Sequence, residues 1–226
     1  LAKTVYLSVG GTGGVAPNGI AAWSFNVIAE FQDGTQAFGG FMSGLVGLSE
    51  SQHWIGADSK SVGSAEMSAQ VWAVMWVMQY FSSLNGPHVA ILFDSCYAAA
   101  IATAKATPRI HLRLAAILSG LVMALQEQTR VSFHHIKSHD GHPWNELADA
   151  GANAASTGFH STPIYTPPCI SEWLRSDRTS IEAGWAFLHN PSSETVSAYP
   201  ALNNEGQMQC APLTGSSFGA LPPEVI

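Results

Sequence analysis

The first 158 residues fall into segments whose apolar positions recur at either strand or helix spacing. Residues 4–8 form a β-branched and aromatic run ending at Gly10-Gly11, and a loop with Pro17-Asn18-Gly19 follows. Residues 20–31 alternate as a second strand, Asp33-Gly34 is a hairpin signal, and residues 35–48 return as a third, glycine-rich strand. Met67, Val71, Val74, Met75 and Met78 recur at helical spacing behind Ser64, which predicts a capped helix from Ser64 to about Ser82. Residues 88–93 are almost wholly apolar, as in a strand buried on both faces. Two helices are expected next, over 97–106 and 109–128, with Pro108 at a natural helix start. Residues 131–136 read as a fifth strand and 143–155 as a last helix. The first three strands can pair as an antiparallel meander, whereas strands reached through helical crossovers must run parallel. The expected fold class is therefore α/β, a mixed five-stranded sheet with its first three strands antiparallel, flanked by helices.

Composition changes the picture near residue 158. Eight of the twelve prolines lie in 159–226, so residues 1–158 are read as the folded domain and the rest as a Pro/Ser-rich extension. That extension offers one candidate helix, over 170–188. Residues 67–87 contain no formal charge, but Gln70, Gln79, Ser82, Ser83, Asn85 and Gly86 interrupt them, which favours a buried helix over a membrane span. The chain carries a net charge of −7 with only 11% charged residues, so no basic patch is available to hold nucleic acid by charge alone. Cys96, Cys169 and Cys210 are too scattered for a disulfide framework and are expected to be reduced thiols of an intracellular protein. The start at Leu-Ala-Lys is expected to mark a piece of a longer product.

In so charge-poor a chain, three acids stand out by position. Glu66 falls in what is expected to be the first turn of the long helix, Asp94 ends the apolar fourth strand, and Asp149 lies in the last helix. Each has a structural explanation: the helix dipole for Glu66, turn capping for Asp94 and plain surface charge for Asp149. Catalytic groups of open α/β sheets nevertheless gather beyond the strands' C-terminal ends. Carboxylates converging there need a hard cation, Mg²⁺ or Mn²⁺, and two such ions suit phosphodiester cleavage.

The segment Lys137-Ser138-His139-Asp140-Gly141-His142-Pro143-Trp144-Asn145-Glu146-Leu147-Ala148-Asp149 resembles the C-terminal motif of type 1 ribonuclease H, a family found in retroelement polyproteins. Ser64-Ala65-Glu66-Met67 and Phe93-Asp94-Ser95-Cys96-Tyr97 resemble two further motifs of that family, in the correct order. The resemblance covers about residues 4–157 and implies a ribonuclease H-like fold. It also implies metal-dependent hydrolysis of the RNA strand of an RNA–DNA hybrid, with Glu66, Asp94 and Asp149 as ligands of two Mg²⁺ or Mn²⁺ ions. His139 would assist proton transfer. Two departures stand out. Val9 occupies the position of the family's first metal-binding Asp, so activity is expected to be severely reduced or absent. Val62-Gly63 replaces a frequent pair of asparagines that meet the hybrid's minor groove, which weakens RNA-from-DNA discrimination. The competing reading is an inactive ribonuclease H-fold module that binds nucleic acid or serves structurally.

Two further constellations are read as structural. His134, His135, His139 and His142 suggest zinc, but consecutive strand residues face opposite ways, so His134 and His135 cannot share a site. Trp23, Trp72 and Trp76 fit core packing, while Trp144, next to the motif loop, is a candidate substrate contact.

Overall fold

Val5, Leu7 and Val9 alternate with Tyr6 and Ser8 along β1 (Thr4–Gly13), which becomes the middle strand of the sheet. The structure, a computed structural model, describes residues 2–13, 19–51, 53–80, 86–138 and 140–158. The candidate helix over 170–188, Cys169, Cys210 and the rest of the C-terminal extension lie outside the described residues. β2 (Ala21–Glu30) pairs antiparallel with β1, and β3 (Gln36–Leu45) pairs antiparallel with β2. On the other side of β1, β4 (His88–Phe93) and β5 (Val131–His135) run parallel to it, giving the order β3-β2-β1-β4-β5. This is the expected mixed sheet with its first three strands antiparallel, and its connectivity is ribonuclease H-like.

Four helices complete the domain: α1 (Val62–Tyr80), α2 (Cys96–Ala102), α3 (Leu112–Gln128) and α4 (Pro143–Ser156). α1 packs on β1 and β2 and is itself covered by α2 and α3, so every residue from Ser64 to Met78 is buried. A helix enclosed on all sides needs no polar face, which is why its apolar residues go right round it. Trp23 of β2 stacks on Trp72 of α1 with ring centroids 5.3 Å apart. With Trp76 fully buried as well, the expectation that these tryptophans serve the core holds.

Several boundaries differ from expectation for identifiable reasons. β1 continues through Gly10-Gly11 to Gly13, because these glycines admit neighbouring backbone and do not end the strand. α1 begins at Val62, capped by Ser61: the Ser64 N–H donates to Ser61 Oγ at 3.0 Å, and the Ser61 N–H donates to Ser64 Oγ at 2.9 Å. This is a reciprocal cap with serine on both sides. Glu66 therefore lies beyond the first turn, which removes the helix dipole as the explanation of its place. α3 starts at Leu112 rather than after Pro108, its entry set by His111 in a left-handed conformation at φ 54°.

Candidate active site

Two helices approach the C-terminal end of β1 from opposite faces, and two glycines let them in. A Cβ on Gly11 would lie 2.6 Å from the Glu66 backbone nitrogen on α1. A Cβ on Gly10 would lie 2.9 Å from Asp149 Oδ1 on α4. Successive strand residues face opposite ways, so α1 lies on one face of the sheet and α4 on the other. Glu66 and Asp149 thus approach, from opposite faces, a stretch of strand that has no side chains of its own. β4 supplies the third acid. Its parallel register with β1 pairs Ser8 with Leu92, and continuing that register sets Asp94 beside Gly10.

Glu66 is 5% exposed, and its Oε1 accepts the Gly11 N–H at 2.9 Å. Its Oε2 is buried and has no hydrogen-bond partner among the described residues. Burial pushes the carboxyl up to about 8, the charge of Asp94 adds to this, the Gly11 N–H opposes it and the charge of Asp149 adds further. Glu66 thus feels both other carboxylates electrostatically. Asp94 also has a buried oxygen, Oδ1, without a partner among the described residues. Asp149 Oδ2 accepts from Asn145 Nδ2 at 3.4 Å, one helical turn earlier on α4. The start of α4 is held down where Asn26 Nδ2 of β2 donates to the Trp144 carbonyl at 3.0 Å.

Val9 is fully buried and belongs to the apolar core on the α1 side. It offers no oxygen to the cluster. Among the described residues no group of three or more His, Cys, Asp or Glu side chains is disposed to hold a metal ion. His139 lies outside the described residues. His134 and His135 point to different neighbours: Ser132 Oγ lies 2.8 Å from His134 Nε2, and the His135 ring packs against Phe93.

The sequence drew attention to the three acids but not to what brings them together. Gly10 and Gly11 read as a strand terminator, although two glycines directly after the missing acid were the available signal for close helix approach. Asn145 could have been found from its spacing, four residues before Asp149 on the same helix face.

No family model matches the chain, and no curated protein matches it. Among solved structures, the chain is similar to the ribonuclease H1 of the halophilic archaeon Halobacterium salinarum, at 16% identity and a TM-score of 0.47, over 69% of this chain and 98% of that one. It is likewise similar to a ribonuclease H1 isolated from compost by a metagenomic approach, at 16% identity and a TM-score of 0.49, over 69% and 97% of the two chains. The ribonuclease H domain of prototype foamy virus matches at 16% identity and a TM-score of 0.48, over 69% and 94%. Among the described residues, no helix is long and apolar enough to cross a membrane.

Proposed function

We propose that residues 1–158 act as a type 1 ribonuclease H domain of a retroelement polyprotein, hydrolysing the RNA strand of an RNA–DNA hybrid at a strongly reduced rate. The observation that supports this reading is the meeting of Glu66, Asp94 and Asp149 around the bare backbone of Gly10-Gly11. Glu66 is buried and Asp94 and Asp149 are half-buried, and acids so placed in a charge-poor chain cost stability unless a cation offsets them.

The donors suit one hard divalent cation. Glu66 Oε2 and Asp94 Oδ1 are orphaned carboxyl oxygens, and Mg²⁺ is commonly held by one or two carboxylates plus water and substrate phosphate. They do not suit a pair of ions, because Val9 brings no bridging oxygen. A bound cation would supply charge stabilisation at the scissile phosphate. The chain's own groups do the rest. The Gly11 N–H orients the Glu66 carboxyl, whose proton affinity burial raises and which would have to ionise to hold a cation. Asn145 orients Asp149 from the opposite face. His139 is assigned the proton transfer to the leaving group, and Trp144 remains a candidate substrate contact.

Full burial of Val9 supports the second reading, an inactive hybrid-binding module. Cleavage of a labelled RNA–DNA hybrid in Mg²⁺ and in Mn²⁺ separates the two. Slow cleavage by the wild-type chain, abolished by Asp94→Asn and raised at least tenfold by Val9→Asp, is the expected result. Hybrid binding without cleavage by either the wild type or Val9→Asp would establish the binding module instead. Undiminished cleavage by Asp94→Asn would overturn the site assignment.

A further inference from the structure

His111 is the most deeply buried histidine among the described residues, at 1% exposure, and nothing in the proposed chemistry uses it. It sits before α3 in a left-handed conformation that costs a non-glycine residue energy. Its ring makes no capping hydrogen bond to its own helix. Nδ1 accepts the Asp58 N–H at 3.1 Å, and Nε2 lies 3.2 Å from Ser61 Oγ, the cap of α1.

Donor and acceptor accounting fixes the ring's protonation. A backbone N–H can only donate, so Nδ1 must present a lone pair and the ring proton must be on Nε2, donating to Ser61 Oγ. That proton completes a closed network. Ser61 Oγ accepts from His111 Nε2 and from the Ser64 N–H, and donates to Ser64 Oγ at 3.2 Å. Ser64 Oγ accepts from Ser61 twice, through the N–H and the hydroxyl, and donates to the Ser61 carbonyl at 3.0 Å. Each hydroxyl then has one donor and two acceptor sites, all filled. Burial holds the imidazole below its ordinary value against the opposing pull of Asp58, which favours the neutral ring.

Building on the proposed site, we infer that His111 is a positioning residue for Glu66: through its Nε2–H it fastens the serine cap of α1 and so fixes the turn that presents the carboxyl. The sheet holds this turn from one side, where Gly11 meets the Glu66 backbone and Gly13 meets the Val62 backbone. The imidazole holds it from the other side, at the cap.

Two substitutions separate this role from that of a plain cap for α3. Asparagine tolerates the left-handed conformation and keeps an acceptor near Nδ1, but it cannot reach Ser61. Glutamine strains the backbone but carries a donor near the Nε2 position. Native-state hydrogen exchange is measured with EDTA and without nucleic acid, so its outcome is independent of whether the domain cleaves hybrids. His111→Asn is expected to speed exchange at Ser64, Ala65 and Glu66 at least tenfold relative to the second half of α1. His111→Gln should restore most of that protection, and Ser61→Ala in the His111→Asn background should add little. Nitrogen NMR of the wild type should show a neutral ring protonated at Nε2 at pH 7. The opposite order, with Asn protected and Gln exposed, would assign His111 to α3 alone and overturn the inference. So would a ring protonated at Nδ1, or acceleration spread evenly over α1 and α3.

Discussion

Replacing Glu66 by Gln should change how stability responds to pH, and the size of the change follows from the site. In the metal-free fold the Glu66 carboxyl titrates at about 8 against an ordinary 4.5. At about 1.4 kcal/mol for each tenfold change in proton affinity, that gap amounts to about 5 kcal/mol. The sign follows from proton counting. Between pH 4.5 and about 8 the folded chain keeps a proton that the unfolded chain has lost, so stability declines as pH rises across this window and levels off above it. Set against a typical domain stability of roughly 5–15 kcal/mol, this is a large share. The amide introduced by Glu66→Gln would keep an oxygen to accept the Gly11 N–H and could not ionise. Urea unfolding followed by circular dichroism, in EDTA at pH 5 and pH 9, gives the comparison. The wild type should lose several kcal/mol more than Glu66→Gln over that interval, other ionisable groups contributing alike to both chains. Mg²⁺ at pH 9 should recover part of the wild-type loss and none of the variant's. Parallel pH profiles for the two chains would refute the reasoning, because Glu66 would then be neither desolvated nor pressed by its neighbours.

Val9→Asp places a carboxyl in the core beside Glu66, and in EDTA it should cost about 3–5 kcal/mol, with thermal unfolding showing the loss shrink on adding Mg²⁺. Gly11→Ala would push a methyl against backbone atoms of Ala65 and Glu66, so urea unfolding should show a loss of about 1–3 kcal/mol or more. Gly63→Ala is its counterpart on the same helix: the added Cβ would meet Tyr97 at a comfortable 3.8 Å, and the gain in helix propensity should stabilise the fold by up to about 1 kcal/mol in the same assay. Hybrid binding measured across salt concentrations should give a log–log slope no steeper than about −3, since few Lys or Arg can neutralise phosphates; a slope near about −8 would point to an unrecognised basic face.

Elements whose formation depends on local pattern were legible in the sequence, and those set by distant contacts were not. Alternation in β1 and β2, the unbroken apolar run of β4 and the helical recurrence through α1 all name their element types directly. α1 starts one turn before the Ser64 cap that the pattern suggests, because Ser61 and Ser64 are both competent caps. The choice between them depends on a histidine 50 residues away. The entry to α3 was misplaced for a similar reason. Pro108 is a good local start, but the helix begins only after His111 has turned its ring back into the core, with Gly56 accepting from the Leu114 N–H. At the site, the scarcity of charge made Glu66, Asp94 and Asp149 conspicuous. The raised carboxyl of Glu66 was invisible, because it arises from burial and from acids on other elements.

α4 is fastened differently from the rest of the domain. None of its residues belongs to the main apolar core. It packs through buried Leu147, Ala148, Ala152 and Ala155 over a face that also carries the buried hydroxyls of Ser8, Ser24 and Ser43, with Gly151 pressed close to Ser24. Any change that unseats α4 would carry Asp149 away from Glu66 and Asp94. Glu66 and Asp94 come from elements that share the main apolar core, whereas Asp149 comes from the helix on the opposite face. The cluster therefore draws on both faces of the sheet, and a substitution beneath α4 would disturb it without touching the core on the α1 side.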